Sequence, residues 1–352
     1  MDKFEVVKRN TQEILTEKEL KELLKKKSVS CYYGTAPTGP FHMGYLVPLS
    51  KLFDFDSVSI KNKILIANIH AALDDLKTDW EDIDKVGEYY KKCIELSFPW
   101  EKKVEFVYGN KFQLDKKYML DILKISALST ITRAKRAASE VTRMKEPKVS
   151  ELIYPIMQSL DEQYLDIDIQ LGGIDQRHIM AFAREYLVKL GYKQRVEIMT
   201  PLVVSLKGPG VKMSASIPET SIKVYDDEET IRAKIRNAYC SNDVEDNPVI
   251  QLFKYIVFPV RSKIVIKRDK KYGGDVKFNS FDELRKSFVE KKVHPMDLKN
   301  CLSEELIVIF SKVRKYFEKN KDILKTLGKE FLCSFCLSYI IKDVFSIFTK
   351  FF

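Results

Sequence analysis

The chain has 352 residues, 45% of them hydrophobic and 31% charged, a composition typical of soluble globular proteins that excludes a disordered or fibrous chain. Its length predicts two domains, one of them large. The first residues contain no apolar segment of a secretory signal, which favours a reducing, cytoplasmic compartment. The net charge of +10 favours an anionic partner, either nucleic acid or a membrane surface, although excess lysine also serves solubility.

Secondary-structure patterns begin with two capping boxes, Asn10 with Glu13 and Thr16 with Glu19, which predict a helical extension over residues 1–28. Five β-rich runs alternate with helical patterns after it: Val29–Tyr33, Ile64–Ala67, Val104–Tyr108, Ile167–Leu171 and Arg195–Met199. This alternation predicts an α/β domain over residues 29–224, with a parallel sheet covered by helices. In such sheets ligands bind at the carboxyl ends of the strands.

The segment over about 80–144 is mostly helical in pattern and predicts an insertion between the two halves of the sheet. Its basic cluster, Arg133, Lys135 and Arg136, suits a phosphate backbone and a solvated helix face equally well. Helix starts at Asp227 and at Asn247-Pro248 predict an all-helical domain over residues 225–328.

The apolar tail over residues 329–352 is interrupted by charged residues, so its uncharged run is too short to span a bilayer. We expect it to pack on the body of the protein or on a partner. Of six cysteines, Cys333 and Cys336 form a C-x-x-C pair, and no second pair of ligands lies at metal-binding distance along the sequence. We therefore expect buried thiols and no protein-bound zinc or other metal.

Two glycine-rich segments contain the candidate phosphate-binding residues. Gly34 to Tyr45 follows the first predicted strand and leads into the helical pattern of Leu46, Leu49 and Leu52. A strand-to-helix turn of this kind offers phosphate free backbone N–H groups and the positive end of a helix dipole. It lacks the Gly-Lys-Ser/Thr ending of a P-loop and the Gly-x-Gly-x-x-Gly pattern of dinucleotide-binding folds. The second segment is Gly208–Ser216.

The two segments resemble the signatures of class I aminoacyl-tRNA synthetases. His42-Met43-Gly44-Tyr45 is similar to His-Ile-Gly-His, and Lys212–Ser216 is similar to Lys-Met-Ser-Lys-Ser with Ala215 as the fourth residue. The resemblance implies a Rossmann-type catalytic domain that uses ATP with Mg²⁺, and catalytic roles for His42 and Lys212 in stabilising phosphate charge. The implied ATP contacts are Gly34, Thr35, Pro37, Thr38, His42, Gly44, Lys212, Met213, Ser214 and Ser216.

A second group of candidate residues concerns recognition of an amino-acid substrate. A helix predicted to start at Tyr154, with Pro155 in its first turn, places Tyr154, Gln158 and Asp161 on one face, which can face solvent or line a polar pocket. Tyr-Pro-x-Met-Gln-x-x-Asp, followed by Gly-Gly-x-Asp-Gln-Arg from Gly172, resembles tyrosyl-tRNA synthetases of the archaeal and eukaryotic type. That resemblance implies that Asp161 and Tyr32 bracket the phenol of tyrosine. It also implies that Tyr154, Gln158 and Gln176 hold the ammonium and backbone end.

Other positions follow the same family less closely. Asn68 stands where the family usually has an aspartate. His70 matches the histidine that the family has at the rim of the pocket, and a purely structural role for His70 is equally well supported. In the C-terminal half, Lys271–Asp275 and His294–Asn300 resemble anticodon-binding segments. They imply that Tyr272 stacks on an anticodon base and that Asp297 accepts from a guanine edge. Arg177 is implied to contact the first base pair of the acceptor stem.

The resemblance extends from residue 1 to about 328 and implies a cytoplasmic, homodimeric ligase that joins L-tyrosine to tRNA(Tyr), with no membrane association. Two alternatives stay open. A tryptophan-activating relative also carries Lys-Met-Ser-Ala-Ser, although Asp161 and Tyr32 argue against it. A non-catalytic RNA-binding or signalling relative is suggested by Tyr45 and Ala215, which replace the usual second histidine and second lysine.

Overall fold

The computed structural model describes residues 2–100, 104–142, 146, 148–210, 213, 217–242, 244–328 and 331. Contacts divide the chain into two compact units. The first consists of Met1–Thr38, Val47–Lys91 and Trp100–Leu202, and the second of Gly39–Leu46, Lys92–Pro99 and Val203–Phe352.

The first unit is built on a six-stranded sheet. Its strands are β1 (Glu13–Leu15), β2 (Ser30–Thr35), β3 (Lys61–Ile66), β4 (Glu105–Tyr108), β5 (Ile169–Gly173) and β6 (Val196–Thr200). They lie in the order β1-β6-β5-β2-β3-β4, with β1 antiparallel to β6 and the other pairs parallel. The predicted parallel sheet is thus confirmed, and all five predicted runs form strands. Strand β2 extends to Thr35, so Gly34 and Thr35 belong to the strand rather than to the turn after it.

Nine helices accompany the sheet within the described ranges: α1 (Lys3–Lys8), α2 (Glu17–Leu23), α3 (Leu46–Ser57), α4 (Asn68–Leu73), α5 (Ile83–Ser97), α6 (Lys116–Leu128), α7 (Ile131–Ala138), α8 (Val149–Tyr164) and α9 (Arg177–Tyr186). The predicted pattern of α3 is confirmed, because Leu46, Leu49 and Leu52 are fully buried. Helix α8 begins five residues before the predicted start at Tyr154, so Pro155 lies inside it. The missing N–H of Pro155 removes a single bond from a helix of 16 residues, which its buried face tolerates.

The N-terminal prediction is confirmed in one part and wrong in another. Thr16 accepts from the backbone of Glu19, whose side chain accepts from the backbone of Thr16, and this capping box opens α2. The Asn10–Glu13 pattern caps no helix, because Glu13 lies in β1 and Asn10 has a positive φ of 59°. Pairing of Glu13 with Met199 on β6 draws this segment into the sheet instead.

The second unit is mainly helical. Its helices are α10 (Glu228–Arg236), α11 (Pro248–Leu252), α12 (Phe258–Val260), α13 (Phe281–Val289), α14 (Pro295–Ile309), α15 (Ser311–Lys319) and α16 (Lys321–Leu327). The predicted starts of α10 and α11 are confirmed, with Asp227 and Asn247 as N-caps. Contrary to the all-helical expectation, strands β7 (Ile264–Ile266) and β8 (Val276–Phe278) form an antiparallel pair. The β-branched run of β7 and the positive φ of Gly273 and Gly274 favour this hairpin.

Within the part of the chain that the structure describes, no helix is long and apolar enough to cross a membrane. Of the four cysteines in that part, Cys31 and Cys93 are buried, as expected, whereas Cys240 and Cys301 are half-buried. No group of three His, Cys, Asp or Glu residues there could hold a metal. Cys333, Cys336 and the rest of the apolar tail, apart from Phe331, lie outside the described residues.

Candidate active site

Strands β2 and β5 are neighbours at the centre of the sheet, where the strand order reverses between β3 on one side and β6 on the other. Ligands of open parallel sheets bind at this point, beyond the carboxyl ends of the strands. Gly34 is exposed although the residues flanking it in β2 are buried, and Thr35 Oγ1 is buried with no hydrogen-bond partner among the described residues. The carboxyl end of β2 therefore offers open backbone and an unused hydroxyl to a ligand.

Asp161, on α8, is the central carboxylate of the first unit. It is buried, and its Oδ1 accepts hydrogen bonds from Gln113 Nε2 and from Tyr118 Oη, each at 2.8 Å. Both bonds end on Oδ1, so Oδ2 accepts none from the described residues. Burial raises the pKa of Asp161 to about 7, and the bonds from Gln113 and Tyr118 oppose that rise. The site thus presents one carboxylate oxygen that is free to bind a hydroxyl.

Tyr32, on β2, lies beside this carboxylate. It is buried, its Oη lies 3.4 Å from the carbonyl oxygen of Gln158, and Gln158 is one helical turn from Asp161 on α8. Burial raises the pKa of Tyr32 well above its usual value, and the charge of Asp161 is the next largest cause. The acid and the hydroxyl that were predicted to act together therefore lie close together.

The residues predicted to hold the ammonium end also lie together in this unit. Gln158 Nε2 donates to Gln176 Oε1 at 3.0 Å, which links α8 to the turn after β5. Buried Tyr154 meets His70 edge to face, with ring centroids 4.6 Å apart, and His70 Nδ1 lies 3.4 Å from Gln113 Nε2. Burial lowers the pKa of His70 to about 4, so His70 is neutral and contributes shape and hydrogen bonding rather than charge.

The first signature segment is held in the second unit. Met43 N donates to Ile222 O at 2.9 Å, and His42 forms a β-bridge with Lys223. His42 Nδ1 accepts from Gly44 N at 3.1 Å, which places the proton of the neutral ring on Nε2. Burial, with a contribution from the charge of Lys234, lowers the pKa of His42 to about 4. His42 is therefore a neutral N–H donor at physiological pH.

Gly44 has no room for a side chain, because a Cβ there would lie 2.8 Å from His42 Cε1 and 3.1 Å from Met213 Sδ. Tyr45, in place of the usual second histidine, stacks on Phe41 with ring centroids 4.9 Å apart and lies 4.6 Å from the ring of His42. The replacement thus packs against the first histidine.

Two further ATP candidates, Pro37 and Thr38, precede the signature in the first unit. Pro37 is held by its carbonyl, which accepts from Thr78 Oγ1 at 2.6 Å, and Thr38 is half-buried. Lys212, Ser214 and Ser216 lie outside the described residues. That Asp161 and Tyr32 share one cleft with His42 and Lys212 stays a prediction.

A basic recess lies on the surface between α7 and α9, lined by Arg133, Arg136, Arg177, His178 and Ala181. Arg177 forms two bonds to Glu13, of 2.7 and 2.9 Å, and Arg133 donates to Glu185 at 2.8 Å. The structure thus brings the predicted acceptor-stem contact, Arg177, together with two arginines of the basic cluster.

The two predicted anticodon residues lie in the second unit. Tyr272, 65% exposed, sits in the β7–β8 hairpin loop, and Asp297 is half-buried in the first turn of α14. Arg268 ties the hairpin to the segment before α14, because it donates to Gly274 O at 3.0 Å and to Lys292 O at 2.8 Å. An aromatic face and a carboxylate are thus presented by connected segments.

Sequence reasoning missed three polar residues around Asp161 and Tyr32: Gln113 and Tyr118, which donate to Asp161, and Gln170, which contacts Tyr32. Gln113 follows the carboxyl end of β4 by a few residues, which is a position where ligand-binding side chains are expected. Tyr118 and Gln170 carry no comparable signal, since one lies within a helix and the other within a strand.

Comparison with known proteins gives one consistent result. A model of the class I tRNA synthetases for tryptophan and tyrosine matches residues 24–311. The tyrosine–tRNA ligase of Methanosarcina mazei is 43% identical over 318 residues, which cover 90% of this chain and 99% of the relative. The cytoplasmic tyrosine–tRNA ligase of Danio rerio is 40% identical over 324 residues, covering 90% of this chain and 61% of the relative.

A solved structure of tyrosyl-tRNA synthetase from Archaeoglobus fulgidus, in complex with L-tyrosine, superposes with a TM-score of 0.85 at 40% identity and covers 89% of this chain and 98% of its own. Tryptophanyl-tRNA synthetase from Aeropyrum pernix, at 18% identity and a TM-score of 0.67, covers 89% of this chain and 85% of its own, and it shares the fold alone. The chain therefore belongs to the tyrosyl-tRNA synthetases of the archaeal and eukaryotic type, within the class I tRNA synthetases.

Proposed function

We propose that this chain activates L-tyrosine with ATP to form tyrosyl-adenylate and pyrophosphate, and then transfers the tyrosyl group to the 3′ end of tRNA(Tyr). The observation that carries the proposal is the buried carboxylate of Asp161, whose Oδ2 is unused by the described residues, beside the hydroxyl of Tyr32. A phenol donates to the carboxylate and accepts from the hydroxyl. Phenylalanine leaves both unpaired, and rejection of it in this enzyme class reaches about 10⁵.

The activation step needs no covalent enzyme intermediate. The carboxylate of tyrosine attacks the α-phosphorus of ATP, and pyrophosphate leaves with Mg²⁺, which enters as part of the nucleotide substrate. The neutral His42 donates through Nε2–H to a phosphate oxygen, while its Nδ1 is held by Gly44 N. The exposed backbone at Gly34 admits the nucleotide, and Lys212 neutralises the leaving group. Catalysis by this chain thus comes from positioning and charge stabilisation.

Transfer to tRNA uses basic and aromatic surfaces. The arginines of the recess, Arg133, Arg136 and Arg177, bind the acceptor end, while Tyr272 and Asp297 read the anticodon. We assign the anticodon-binding domain to residues 225–328, and the catalytic domain to residues 29–224 with its insertion over about 80–144. Because the arginines bind phosphates, added salt weakens tRNA binding through counterion release.

The working enzyme is proposed to be a homodimer. Met119, Leu120, Leu123 and Leu128 on α6, and Ile131 at the start of α7, are between 42% and 72% exposed. An exposed apolar surface of this kind marks a protein interface. Relatives whose names place them in the cytoplasm support the same compartment for this chain.

The test is tyrosine-, tryptophan- and phenylalanine-dependent ATP–pyrophosphate exchange with the purified protein. We expect exchange with tyrosine and none above background with the other two at equal concentration. Exchange with tryptophan would identify a tryptophan-activating enzyme. Absence of exchange with all three, in protein that binds tRNA, would identify a non-catalytic RNA-binding protein.

A further inference from the structure

Helix α10 carries a lysine at the border of its buried face. Ile231 and Ile235 are fully buried, and Lys234 lies three residues after the first and directly before the second. The side chain of Lys234 is 18% exposed, whereas that of Arg232, on the outer face of the same helix, is 43% exposed. An ammonium group is strongly hydrated in water, so a lysine that is largely removed from water indicates an anionic partner.

The described residues provide Lys234 with one such partner, the buried carboxylate of Asp226. Lys234 Nζ donates to Asp226 Oδ2 at 2.8 Å, and the same oxygen accepts from Lys223 N at 3.0 Å. The carboxylate oxygen is therefore shared between the ammonium and a backbone N–H. An ammonium has three N–H donors, so two donors of Lys234 have no acceptor among the described residues.

Lys234 lies beside the first signature segment, in the same compact unit. His42 forms a β-bridge with Lys223, and the backbone hydrogen bonds on the two sides of this bridge measure 2.9 and 3.3 Å. Lys223 N is bound in turn to the carboxylate that holds Lys234, so Lys234 is two hydrogen bonds away from the residue paired with His42. The imidazole reflects this proximity, because burial and, after it, the charge of Lys234 lower the pKa of His42.

The two side chains together form a donor set for an anion with several oxygens. His42 presents one donor, Nε2–H, since its Nδ1 accepts from Gly44 N, and Lys234 presents a full positive charge with two further donors. A polyphosphate chain has such oxygens. In the sequence, the second signature contains one lysine, Lys212, where the family pattern has two.

We propose that Lys234 binds the β- and γ-phosphates of ATP beside His42 and stabilises pyrophosphate as it leaves. In the activation step, an oxygen of the tyrosine carboxylate forms a bond to the α-phosphorus, and the bond from that phosphorus to the oxygen that bridges the α- and β-phosphates breaks. The electron pair stays on the bridging oxygen, so negative charge builds on pyrophosphate, and no proton is transferred. The ammonium of Lys234 donates to this charge. This inference rests on the proposed function.

The test compares ligands with and without the β- and γ-phosphates, in the full-length protein and in Lys234→Gln. The amide of this variant has no charge but keeps an NH₂ donor for Asp226. We expect kcat/KM for ATP in tyrosine-dependent exchange to fall roughly 10- to 150-fold, the range for a hydrogen bond to a charged group. KM for tyrosine should stay unchanged, and so should the inhibition constant of tyrosinol adenylate, an unreactive analogue of tyrosyl-adenylate that lacks both phosphates. Lys234→Arg, which keeps the charge, should lose less than Lys234→Gln.

Arg232→Gln is the matched control, because it removes a cation of the same helix that pairs with Glu304 and Glu228 on the outer surface. All three constants should stay unchanged in this variant. An unchanged kcat/KM for ATP in Lys234→Gln would overturn the inference. An equal loss for ATP and for tyrosinol adenylate would overturn it as well, because an ion pair that only supports the fold gives that result.

A measurement on the unmodified protein provides the answer if Lys234→Gln does not fold. Acetylation by acetic anhydride, followed at each lysine by mass spectrometry, should be slower at Lys234 with ATP than with AMP. Half-buried Lys299, whose Nζ donates to Arg236 O at 3.0 Å, is the control and should react equally with both nucleotides. Equal acetylation of Lys234 with ATP and AMP would overturn the inference. Absence of tyrosine-dependent exchange would instead refute the proposed function, and the acetylation result does not depend on exchange.

Discussion

Replacement of Asp161 by asparagine tests the phenol site at a single atom. The amide oxygen of the asparagine, in the place of Asp161 Oδ1, can still accept from Gln113 and Tyr118, whose bonds to Asp161 are both 2.8 Å. The NH₂ group then takes the place of Oδ2 and is a donor. The phenol of tyrosine loses the acceptor for its proton, while the packing around residue 161 changes little.

The loss of a hydrogen bond to a charged acceptor costs about 1.5–3 kcal/mol. Asp161→Asn should therefore lower kcat/KM for tyrosine by roughly 10- to 150-fold at pH 8 and leave the value for phenylalanine nearly unchanged. ATP–pyrophosphate exchange with both amino acids at saturating ATP measures this. A tyrosine value within twofold of the unmodified protein would remove Asp161 from phenol recognition. An equal loss for tyrosine and phenylalanine would indicate general damage to the site.

The same variant also tests the protonation of Asp161, through the pH dependence of the stability of the fold. The pKa of Asp161 rises from its usual value of 3.8 to about 7 on folding, so the native state binds this proton more tightly than the unfolded chain does. The contribution of Asp161 to the free energy of unfolding is present in full below pH 4. It is lost as the pH rises toward 7, by roughly 4 kcal/mol at most. In thermal melts, Asp161→Asn should therefore gain stability relative to the unmodified protein between pH 5 and pH 8. A constant difference across this range would refute the assigned protonation.

Three further predictions concern separate parts of the protein. His42→Ala removes the Nε2–H donor and should lower kcat of exchange by about 10²–10³ with little change in KM for tyrosine; an unchanged kcat would exclude His42 from charge stabilisation. Gln113→Leu removes one donor to Asp161, so the pKa of Asp161 should rise and the acid limb of kcat/KM for tyrosine should move to higher pH; a limb that moves to lower pH would contradict this. Leu123→Asp should sediment as a monomer at micromolar concentration where the unmodified protein sediments as a dimer, and an unchanged dimer would place the interface elsewhere.

The main features of the fold were predictable because local sequence and tertiary structure agree in them. Strand β3 is an example, since Ile64, Leu65 and Ile66 form a continuous apolar run and are all buried. Strand β1 was not predictable, because three residues carry little local preference and form a strand through their pairing with β6. The same limit explains Pro155, whose position inside α8 depends on the burial of the whole helix.

The residues of the candidate site were likewise predictable from the sequence only in part. Residues such as Asp161 and Gln176 belong to contiguous motifs, so their chemistry could be inferred from the sequence alone. Tyr118 lies 43 positions from Asp161 in the sequence, and its 2.8 Å contact exists because α6 packs against α8. No short-range pattern encodes a contact at that separation. A polar residue in the interior of a helix or strand therefore acquires its role from the assembled fold.

Asn68, which the resemblance places where the family usually has an aspartate, belongs to a small network of polar contacts. Asn68 is fully buried, its Nδ2 donates to Asp84 Oδ1 at 2.9 Å, and its Oδ1 accepts from Asn110 N at 2.9 Å. Asn110 Nδ2 also donates to Asp84 Oδ1, at 2.7 Å. These contacts place a carboxylate one hydrogen bond away from Asn68, on the exposed residue Asp84.

A carboxylate at the buried position 68 would bear a desolvation cost that the exposed carboxylate of Asp84 avoids. Because Asp84 binds the NH₂ group of Asn68, it fixes the direction of that amide dipole and polarises it. The residues predicted to hold the ammonium of tyrosine, Tyr154, Gln158 and Gln176, carry no charge, so the prediction is that this end of the substrate is held by hydroxyl and amide dipoles rather than by a direct ion pair.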